Sequence, residues 1–425
     1  MENLYMILGI LIFILTFYFI ITEKYPKSLV TIIGAALMVI VNVLNEETAL
    51  EIIGYNLEIL ILLMGMMMIV EIMSETGIFQ WIAIRLAQVS KGNPIKILIL
   101  LSLLTAFFSA LLDNVTTILL IVPITIFLAQ KLHLDPKPFV LMQIFMSNIG
   151  GTATMIGDPP NLIIAALSNR NFNDFIINLS PIVLVNIVVL LVSASIFLRK
   201  KLVVSRELKA SIMELDSSRI IKDKKLLLKS TIIFILVILG FLTNSFSEIG
   251  LAIISILGSS LLILISKKKP EEIFSKIEWE TLFFFGALFI LIQGLEELGI
   301  IELIGYYVVA FTQGNLKLTS SLLILVCGIL SPIVGSIPLS LSFGKLVLEV
   351  LPNYVGNTES LWWSLSLGCC LGGNMTIVGA AANMVGTSVS KKVGIEISFK
   401  EFFKWGFIVV FQSIILSLVY IYIRY

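Results

Sequence analysis

Residues 148–161, NIGGTATMIGDPPN, form a polar, glycine-rich interruption in apolar sequence, and they have a counterpart 222 residues later. The counterpart, residues 370–383, reads CLGGNMTIVGAAAN and keeps the glycine pair, the second threonine, the third glycine and the final asparagine. Glycines fix backbone shape, and polar side chains inside a membrane line polar sites. Matches at such positions are what two copies of one structural unit would share.

The same offset aligns the chain with itself, without a gap, over more than a hundred residues. The matched pairs include Glu58/Glu280, Glu75/Glu297, Gly77/Gly299, Gly92/Gly314, Asn93/Asn315, Ser109/Ser331, Gly150/Gly372, Gly151/Gly373, Thr154/Thr376, Gly157/Gly379, Asn161/Asn383 and Ser168/Ser390. Duplicated membrane units are typical of secondary transporters. The alternative is a duplicated scaffold with no transport role.

The composition predicts a polytopic membrane protein. The chain is 58% hydrophobic and 13% charged, and it contains many apolar runs long enough to span a bilayer. The first run, residues 4–21, follows no basic segment and precedes no small-residue cleavage site, so we expect an uncleaved helix. A net charge of +1 gives no general basic surface for nucleic acid.

No sequence pattern predicts a resident metal or cofactor. Cys327, Cys369 and Cys370 lie in apolar segments and His133 is the only histidine, so neither a zinc site nor a disulfide framework is expected. The run around Lys345 lacks the first glycine and the Ser/Thr of a phosphate-binding loop. ATP-driven pumping by this chain alone is therefore not expected, and a separate ATPase subunit is left open.

Lysine and arginine placement predicts the orientation, because short basic loops stay cytoplasmic. Residues 199–229 hold ten basic residues against four acidic ones and are predicted to be a cytoplasmic linker. The linker separates a first repeat, residues 1–198, from a second repeat, residues 230–425. The N-terminus is then expected outside. The span at Glu58 enters from outside and its counterpart at Glu280 from inside, so we predict inverted repeats in the cytoplasmic membrane.

One segment in each repeat is predicted to be a re-entrant helical hairpin. Residues 98–130 are long enough for two spans, yet lysines flank both ends and Asp113-Asn114 interrupts the middle. Residues 318–351 are interrupted in the same way near Gly335. A hairpin whose tip lies near the middle of the bilayer explains both patterns.

A second segment in each repeat, residues 139–168 and 361–390, is predicted to be a broken helix. Each contains one of the glycine-rich interruptions. Non-helical backbone at membrane depth survives only where protein buries it or where it lines a watery cavity. We therefore expect an all-α membrane protein in which two hairpin tips and two breaks converge on one polar site.

Asp113 and Asp158 are the only carboxylates at these interruptions. An ionised carboxylate inside the membrane costs about 2.5–3.5 kcal/mol on insertion-based scales, so two imply a wet cavity, a bound cation or protonation. The alternative is helix capping, because Asp113 precedes a hairpin arm and Asp158 precedes two prolines. The second repeat has Gly335 and Ala380 at these positions, so charge is expected in one half of the site only.

Hydroxyl and amide side chains accompany the two aspartates and could coordinate a small ion or hydrogen-bond an oxyacid. The candidate binding residues are Asp113, Asn114, Thr116, Thr117, Asn148, Thr152, Thr154, Asp158, Asn161, Ser336, Asn374, Thr376 and Asn383. A transported sodium ion would be held at Asp113, Asn114 and Asp158. For any single hydroxyl or amide, helix packing is an equal alternative.

Residues 112–117, LDNVTT, together with 148–161 and 370–383, resemble a known superfamily. It contains arsenite permeases, NhaD-type sodium/proton antiporters, citrate-transporter-like permeases and the pigmentation P protein, whose branch is the most similar. The resemblance implies a homodimer with a scaffold domain and a mobile transport domain that moves like an elevator. Many such members carry a second Asp-Asn at the second hairpin tip, where this chain has Gly335 and Ser336. We therefore do not expect a transport mechanism that requires an acidic residue at the second tip.

Two functions suit an acidic site: proton-coupled efflux of arsenite or antimonite as a neutral hydroxide, and sodium/proton antiport. In both, the carboxylates can titrate as access alternates. A multivalent anion would face the aspartates without an arginine clamp, so an anion or dicarboxylate transporter and a passive anion channel are further alternatives. The expected coupling ion is a proton or sodium.

An intramembrane aspartyl protease would also need two membrane aspartates. Its Gly-x-Gly-Asp motif is broken here by Met155, and Leu112 rather than tyrosine precedes Asp113. The chain is therefore not expected to be an enzyme.

Overall fold

The protein is a polytopic membrane protein, and the secondary structure of its described residues consists of helices joined by turns and short loops. The computed structural model describes residues 2–22, 24–217, 220–247, 249–354 and 357–425. In these ranges, nine helices are long and apolar enough to cross a membrane. Small parts of the predicted repeats and linker, residues 1, 23, 218–219, 248 and 355–356, lie outside the described residues.

Ten helices precede the predicted linker. They are α1 (Glu2–Thr22), α2 (Lys27–Ile40), α3 (Glu46–Tyr55), α4 (Leu57–Glu75), α5 (Ile78–Val89), α6 (Pro94–Leu111), α7 (Asn114–Lys131), α8 (Lys137–Gly151), α9 (Pro159–Ser168) and α10 (Phe172–Leu198). Several start where the sequence supplies a cap. Asn93, for example, accepts a hydrogen bond from the backbone N–H of Lys96, and Pro94 occupies the first turn.

The remaining helices follow α10, and the first two of them begin within the predicted linker. They are α11 (Arg206–Met213), α12 (Lys224–Ser247), α13 (Leu251–Ser266), α14 (Pro270–Phe274), α15 (Trp279–Glu297), α16 (Ile300–Thr312), α17 (Leu316–Val334), α18 (Ser336–Val350), α19 (Glu359–Gly372), α20 (Ala381–Lys392) and α21 (Phe399–Arg424). The linker also packs against the first half, since Gln88 Nε2 donates to the Leu215 carbonyl oxygen at 2.7 Å.

The helix starts follow the 222-residue offset of the sequence. Helices α4, α5, α6, α7 and α9 begin 222 residues before α15, α16, α17, α18 and α20. The packing repeats as well, because α6 packs on α8 as α17 packs on α19, and α4 packs on α13 as α15 packs on α2. Helix α9 packs on α18, and its counterpart α20 packs on α7, so each half completes the other.

The predicted hairpin and broken-helix segments are each divided in the structure. Helices α6 and α7 are separated by Leu112 and Asp113, and α17 and α18 by Gly335. Residues 152–158 separate α8 from α9, and residues 373–380, which include two short 3-10 turns, separate α19 from α20. Inverted topology and a re-entrant path through the membrane stay predictions.

Close packing explains why the first break is rich in glycine. A Cβ atom at Gly150 would lie 2.3 Å from the Ala106 carbonyl oxygen, and one at Gly157 would lie 2.4 Å from the Ser109 carbonyl oxygen. Both contacts are with the backbone of α6, which cannot move aside cheaply. The glycines therefore let the break lie directly on the first hairpin.

Candidate functional site

Buried side chains connect the first hairpin tip to both helix breaks. Asn114 Nδ2 donates hydrogen bonds to Asp158 Oδ1 at 2.9 Å and to Asn148 Oδ1 at 3.3 Å. Asn148 Nδ2 donates in turn to Asn374 Oδ1 at 2.8 Å and to Asn383 Oδ1 at 2.7 Å. None of these five side chains, the amide cluster, is more than 3% exposed.

Two atoms of the amide cluster are left without a hydrogen bond within the part of the chain that the structure describes. They are the acceptor Asn114 Oδ1 and the donor Asn374 Nδ2, and both residues bond to Asn148. A buried polar group without a partner is costly, and such groups in a native fold call for a water, an ion or a ligand. The amide cluster can therefore both donate to and accept from a bound solute.

The two aspartates have different roles at their helix starts. Asp113 Oδ1 accepts a hydrogen bond from the backbone N–H of Thr116 at 2.8 Å, and its Oδ2 accepts one from Thr116 Oγ1. Within the described residues the Asp158 side chain caps nothing at the start of α9, where Pro159 and Pro160 have no N–H to offer. The capping interpretation is therefore right for Asp113 and wrong for Asp158.

Other predicted site residues hold the backbone of the breaks. Asn161 Nδ2 donates to the Thr154 carbonyl oxygen at 2.8 Å, and Asn383 Nδ2 donates to the Thr376 carbonyl oxygen at 2.7 Å. The hydroxyls bond to nearby carbonyl oxygens, namely Thr117 to Asp113, Thr152 to Asn148, Thr154 to Ala110 and Thr376 to Pro332. These threonines therefore shape the site rather than meet a solute through their hydroxyl protons.

A cavity of about 870 Å³ brings the two hairpin tips together. Asp113 lines it from the first tip, and Gly335 and Ser336 line it from the second. Lys24, which lies between α1 and α2, and Lys27, the first residue of α2, line the same space. The first hairpin tip thus brings a carboxylate to the cavity and the second brings no charge, and Asn114 of the amide cluster directly follows Asp113 in the chain.

Sequence reasoning missed Glu278, which lines this cavity immediately before α15. It also underrated Cys370, which occupies the repeat position of Asn148 and whose Sγ lies 3.5 Å from Asn161 Oδ1. The offset of 222 was the available signal for Cys370, because it pairs that thiol with a central amide. Nothing local distinguishes Glu278 from a solvated helix end. Among the described residues no group of three or more His, Cys, Asp or Glu could hold a metal ion.

Lys345 forms a contact between helices on another side of the site. Its Nζ donates to Gln293 Oε1 at 2.6 Å and forms an ion pair with Glu296, which ties α18 to α15. The Lys345 side chain is only 11% exposed, and it lines a cavity of about 280 Å³ with Glu349. We name these contacts of Lys345 with Gln293 and Glu296 the α15–α18 latch.

The sequence matches a known transporter family over most of its length. The family model described as citrate transporter matches residues 17–368. The chain belongs to the citrate transporter family. This citrate transporter family member is a secondary transporter with multiple membrane-crossing helices, and it is not an enzyme, as the sequence predicted.

Its relatives include mycobacterial membrane proteins and the P protein. The "46 kDa membrane protein" of Mycobacterium leprae is 38% identical over 423 residues, covering 99% of both chains. An uncharacterized transporter of Mycobacterium tuberculosis is 35% identical, covering 99% of this chain and 98% of its own. The human P protein is 30% identical, covering 96% of this chain and 58% of the P protein. The predicted membership of the superfamily that contains the P protein is confirmed.

Proposed function

We propose that this protein is a proton-coupled transporter of a neutral inorganic oxyacid, of the arsenite or antimonite type, out of the cell. The observation that carries the proposal is Asp158, a carboxyl buried in the amide cluster, bonded to Asn114 and free of any capping role among the described residues. A buried carboxyl that no helix start requires is suited to bind and release a proton.

The two atoms of the amide cluster without a hydrogen bond among the described residues favour a neutral hydroxide as the transported solute. Asn114 Oδ1 can accept from an O–H group, and Asn374 Nδ2 can donate to an oxygen. A solute with several hydroxyls offers both functions on one small centre. A multivalent anion would satisfy only the donor and would be repelled by Asp158.

Sodium/proton antiport is the second candidate. Asn114 Oδ1 has no hydrogen-bond partner among the described residues, and Asn114 itself bonds Asp158. Carboxylate and amide oxygens are the ligands of hard cations. Binding of sodium there would displace the proton from the carboxyl. Citrate, which the family description names, enters the test as a third solute because Lys24 and Lys27 line the cavity.

Alternating access would move the tips and breaks against a scaffold. In this proposal α6–α9 and α17–α20 form the mobile transport domain, and α2, α4, α13 and α15 belong to the scaffold of an inverted-repeat homodimer. The α15–α18 latch then joins the two domains on the outer side, while the large cavity opens beside Lys24 and Lys27 on the cytoplasmic side. Under this proposal we interpret the described arrangement as an inward-open state.

The test is solute-evoked proton movement in proteoliposomes that contain a pH dye. Arsenite, antimonite, sodium, lithium and citrate are added in turn to wild-type protein and to Asp158→Asn. Asp135→Asn, a loop carboxylate whose Oδ1 bonds Lys137 N, is the matched control. We expect arsenite or antimonite to evoke a pH change that Asp158→Asn loses and Asp135→Asn keeps. A response to sodium and lithium alone would select antiport, and a response to citrate alone would overturn the proposal.

A further inference from the structure

Glu278 and Asp113 line the same cavity. Glu278 immediately precedes α15, on the proposed scaffold, whereas Asp113 belongs to the proposed transport domain. The Glu278 side chain is partly buried, and Thr281 Oγ1 donates to Glu278 Oε2 at 3.3 Å. Two carboxylates from different elements therefore face one space.

The charged groups around Glu278 come from four parts of the chain that line the cavity. Lys24 lies between α1 and α2, Lys27 is the first residue of α2, and Asp113 belongs to the first hairpin tip. Glu280, on α15 itself, is exposed and lies 3.5 Å from Ser28 Oγ. Asp113 and Glu280 both act on Glu278 with negative charge.

Lys276 precedes Glu278 by two residues but is engaged elsewhere. Its Nζ donates to Glu71 Oε1 at 2.6 Å and to Glu75 Oε1 at 2.8 Å, and these two carboxylates raise its pKa. The lysine charge is therefore directed at α4 and not at the cavity.

Burial and the negative charge of Asp113 raise the pKa of Glu278 to about 7. A carboxyl with a pKa close to the working pH binds and releases protons with similar ease, which is the condition for efficient proton transfer. An exposed glutamate would be ionised at neutral pH almost all of the time.

We propose that Glu278 relays protons between the cytoplasmic solution and Asp113. The proton leaves the Asp113 carboxyl, which becomes a carboxylate, passes through water in the cavity and binds a Glu278 carboxylate oxygen. Glu278 then releases it to the solution and returns to the ionised form. The inference rests on the proposed proton-coupled function. It also assigns the proton transfer to one side of the membrane, because in this proposal Glu278 lies beside Asp113 only while the cavity is open to the cytoplasm.

The test compares Glu278→Gln with Glu280→Gln in proteoliposomes, using arsenite and sodium as separate probes. Glu280→Gln removes an exposed carboxylate from the same cavity and is the matched control. For whichever probe evokes proton flux in wild-type protein, we expect Glu278→Gln to slow net flux about tenfold, a barrier increase of about 1.4 kcal/mol. Glu278→Asp should restore most of the flux, because it keeps the carboxyl. Counterflow of the probe, which needs no net proton release, should persist in all three variants.

An infrared titration separates the relay from the transport proposal. The carboxyl band that titrates near pH 7 should be weaker by one carboxyl group in Glu278→Gln than in wild-type protein and Glu280→Gln. Equal flux in Glu278→Gln and wild-type protein, while Asp113→Asn loses flux, would overturn the relay and leave the proposed function standing. Equal slowing in both glutamine variants would also overturn it, as a general charge effect. Undiminished proton flux in Asp113→Asn would overturn the relay alone, and undiminished flux in Asp158→Asn would remove the proposed function and the relay together.

Discussion

The first helix break carries Asp158 where the second carries Ala380, although both breaks are held in the same way. Asn161 and Asn383 each bond the carbonyl oxygen of a threonine seven residues earlier, at 2.8 Å and 2.7 Å. The asparagine and the threonine that shape the backbone are duplicated, whereas the carboxylate is not. The comparison indicates that the chain keeps two copies of the architecture and places the carboxylates of the hairpin tips and helix breaks in one.

The two hairpin tips differ in backbone as well as in side chain. Asp113 has φ −70° and caps α7, whereas Gly335 has φ +97° and ψ 146° and its helix, α18, has no side-chain cap among the described residues. The second tip thus adopts a conformation that suits glycine. The missing second Asp-Asn is therefore a change of tip geometry and not only the loss of an acid.

The largest expected loss of stability comes from a substitution that makes the first half resemble the second. Asn148→Cys copies Cys370 and removes the amide that bonds Asn374 and Asn383, leaving two buried oxygens without donors. At about 1–3 kcal/mol for each, the variant should lose about 2–6 kcal/mol of unfolding free energy. Solute uptake should fall with it. Denaturant unfolding in detergent measures the first effect and proteoliposome uptake the second.

Cys370→Ser is the matched control on the other side of the comparison. A serine hydroxyl can still donate to Asn161, so the loss of stability should be about 1 kcal/mol or less. Equal losses of unfolding free energy in Asn148→Cys and Cys370→Ser would mean that the two halves contribute equally to the stability of the site.

The second hairpin tip gives the next largest effect. Gly335→Ala forces a side chain onto a backbone that is nearly exclusive to glycine, at a cost of about 1–3 kcal/mol. Space is not the obstacle, because the nearest atom to an added Cβ is Pro338 Cδ at 3.7 Å. Gly286→Ala, inside α15 with nothing within 4 Å, should instead gain about 0.5–1 kcal/mol. A Gly335→Ala protein as stable as wild type would show that the tip can adopt the first tip's geometry.

The α15–α18 latch gives a smaller effect, because Glu296 is 47% exposed. Lys345→Met should weaken outer closure by about 1 kcal/mol, or about fivefold in the equilibrium between states. A cysteine placed at Leu341, which lines the small cavity, should then react about fivefold faster with an impermeant maleimide. Glu349→Gln, in the same cavity, is the control and should leave the rate unchanged. Unchanged labelling in Lys345→Met would show that the latch does not hold the domains together.

The smallest effect concerns Glu278 and stability. Its pKa is raised to about 7, so its stabilising protonated form is lost as the pH rises through 7. Wild-type melting temperature in detergent should therefore fall between pH 5 and about 8 relative to Glu278→Gln, whose side chain does not titrate. The difference is small because the side chain is partly exposed. Parallel pH profiles for the two proteins would contradict the raised pKa.

The helix breaks could be predicted from the sequence, because the residues that interrupt the helices lie at the breaks themselves. Glycines at 150 and 157 and the prolines after Asp158 end one helix and start the next, and the offset of 222 carries the same reading to the second half. The polar residues at the breaks were found for the same reason.

The partners within the site depend on tertiary packing and were not predictable. The Asp158 carboxyl bonds Asn114, 44 residues earlier, and no local pattern distinguishes that bond from capping. Thr117 and Thr152 look like ligands in the sequence, yet each hydroxyl bonds a carbonyl one helical turn away. Glu278 became a site residue only because the start of α15 packs beside Asp113.

The central claim, that proton coupling resides in the first half, is tested most directly by the proton-to-solute ratio in Asp113→Asn and Asp158→Asn proteoliposomes. Asparagine can replace the Asp113 cap, and it keeps the size of Asp158, so both variants should fold. The account predicts that solute counterflow persists while the ratio falls to zero in both. A wild-type ratio in both variants would contradict it.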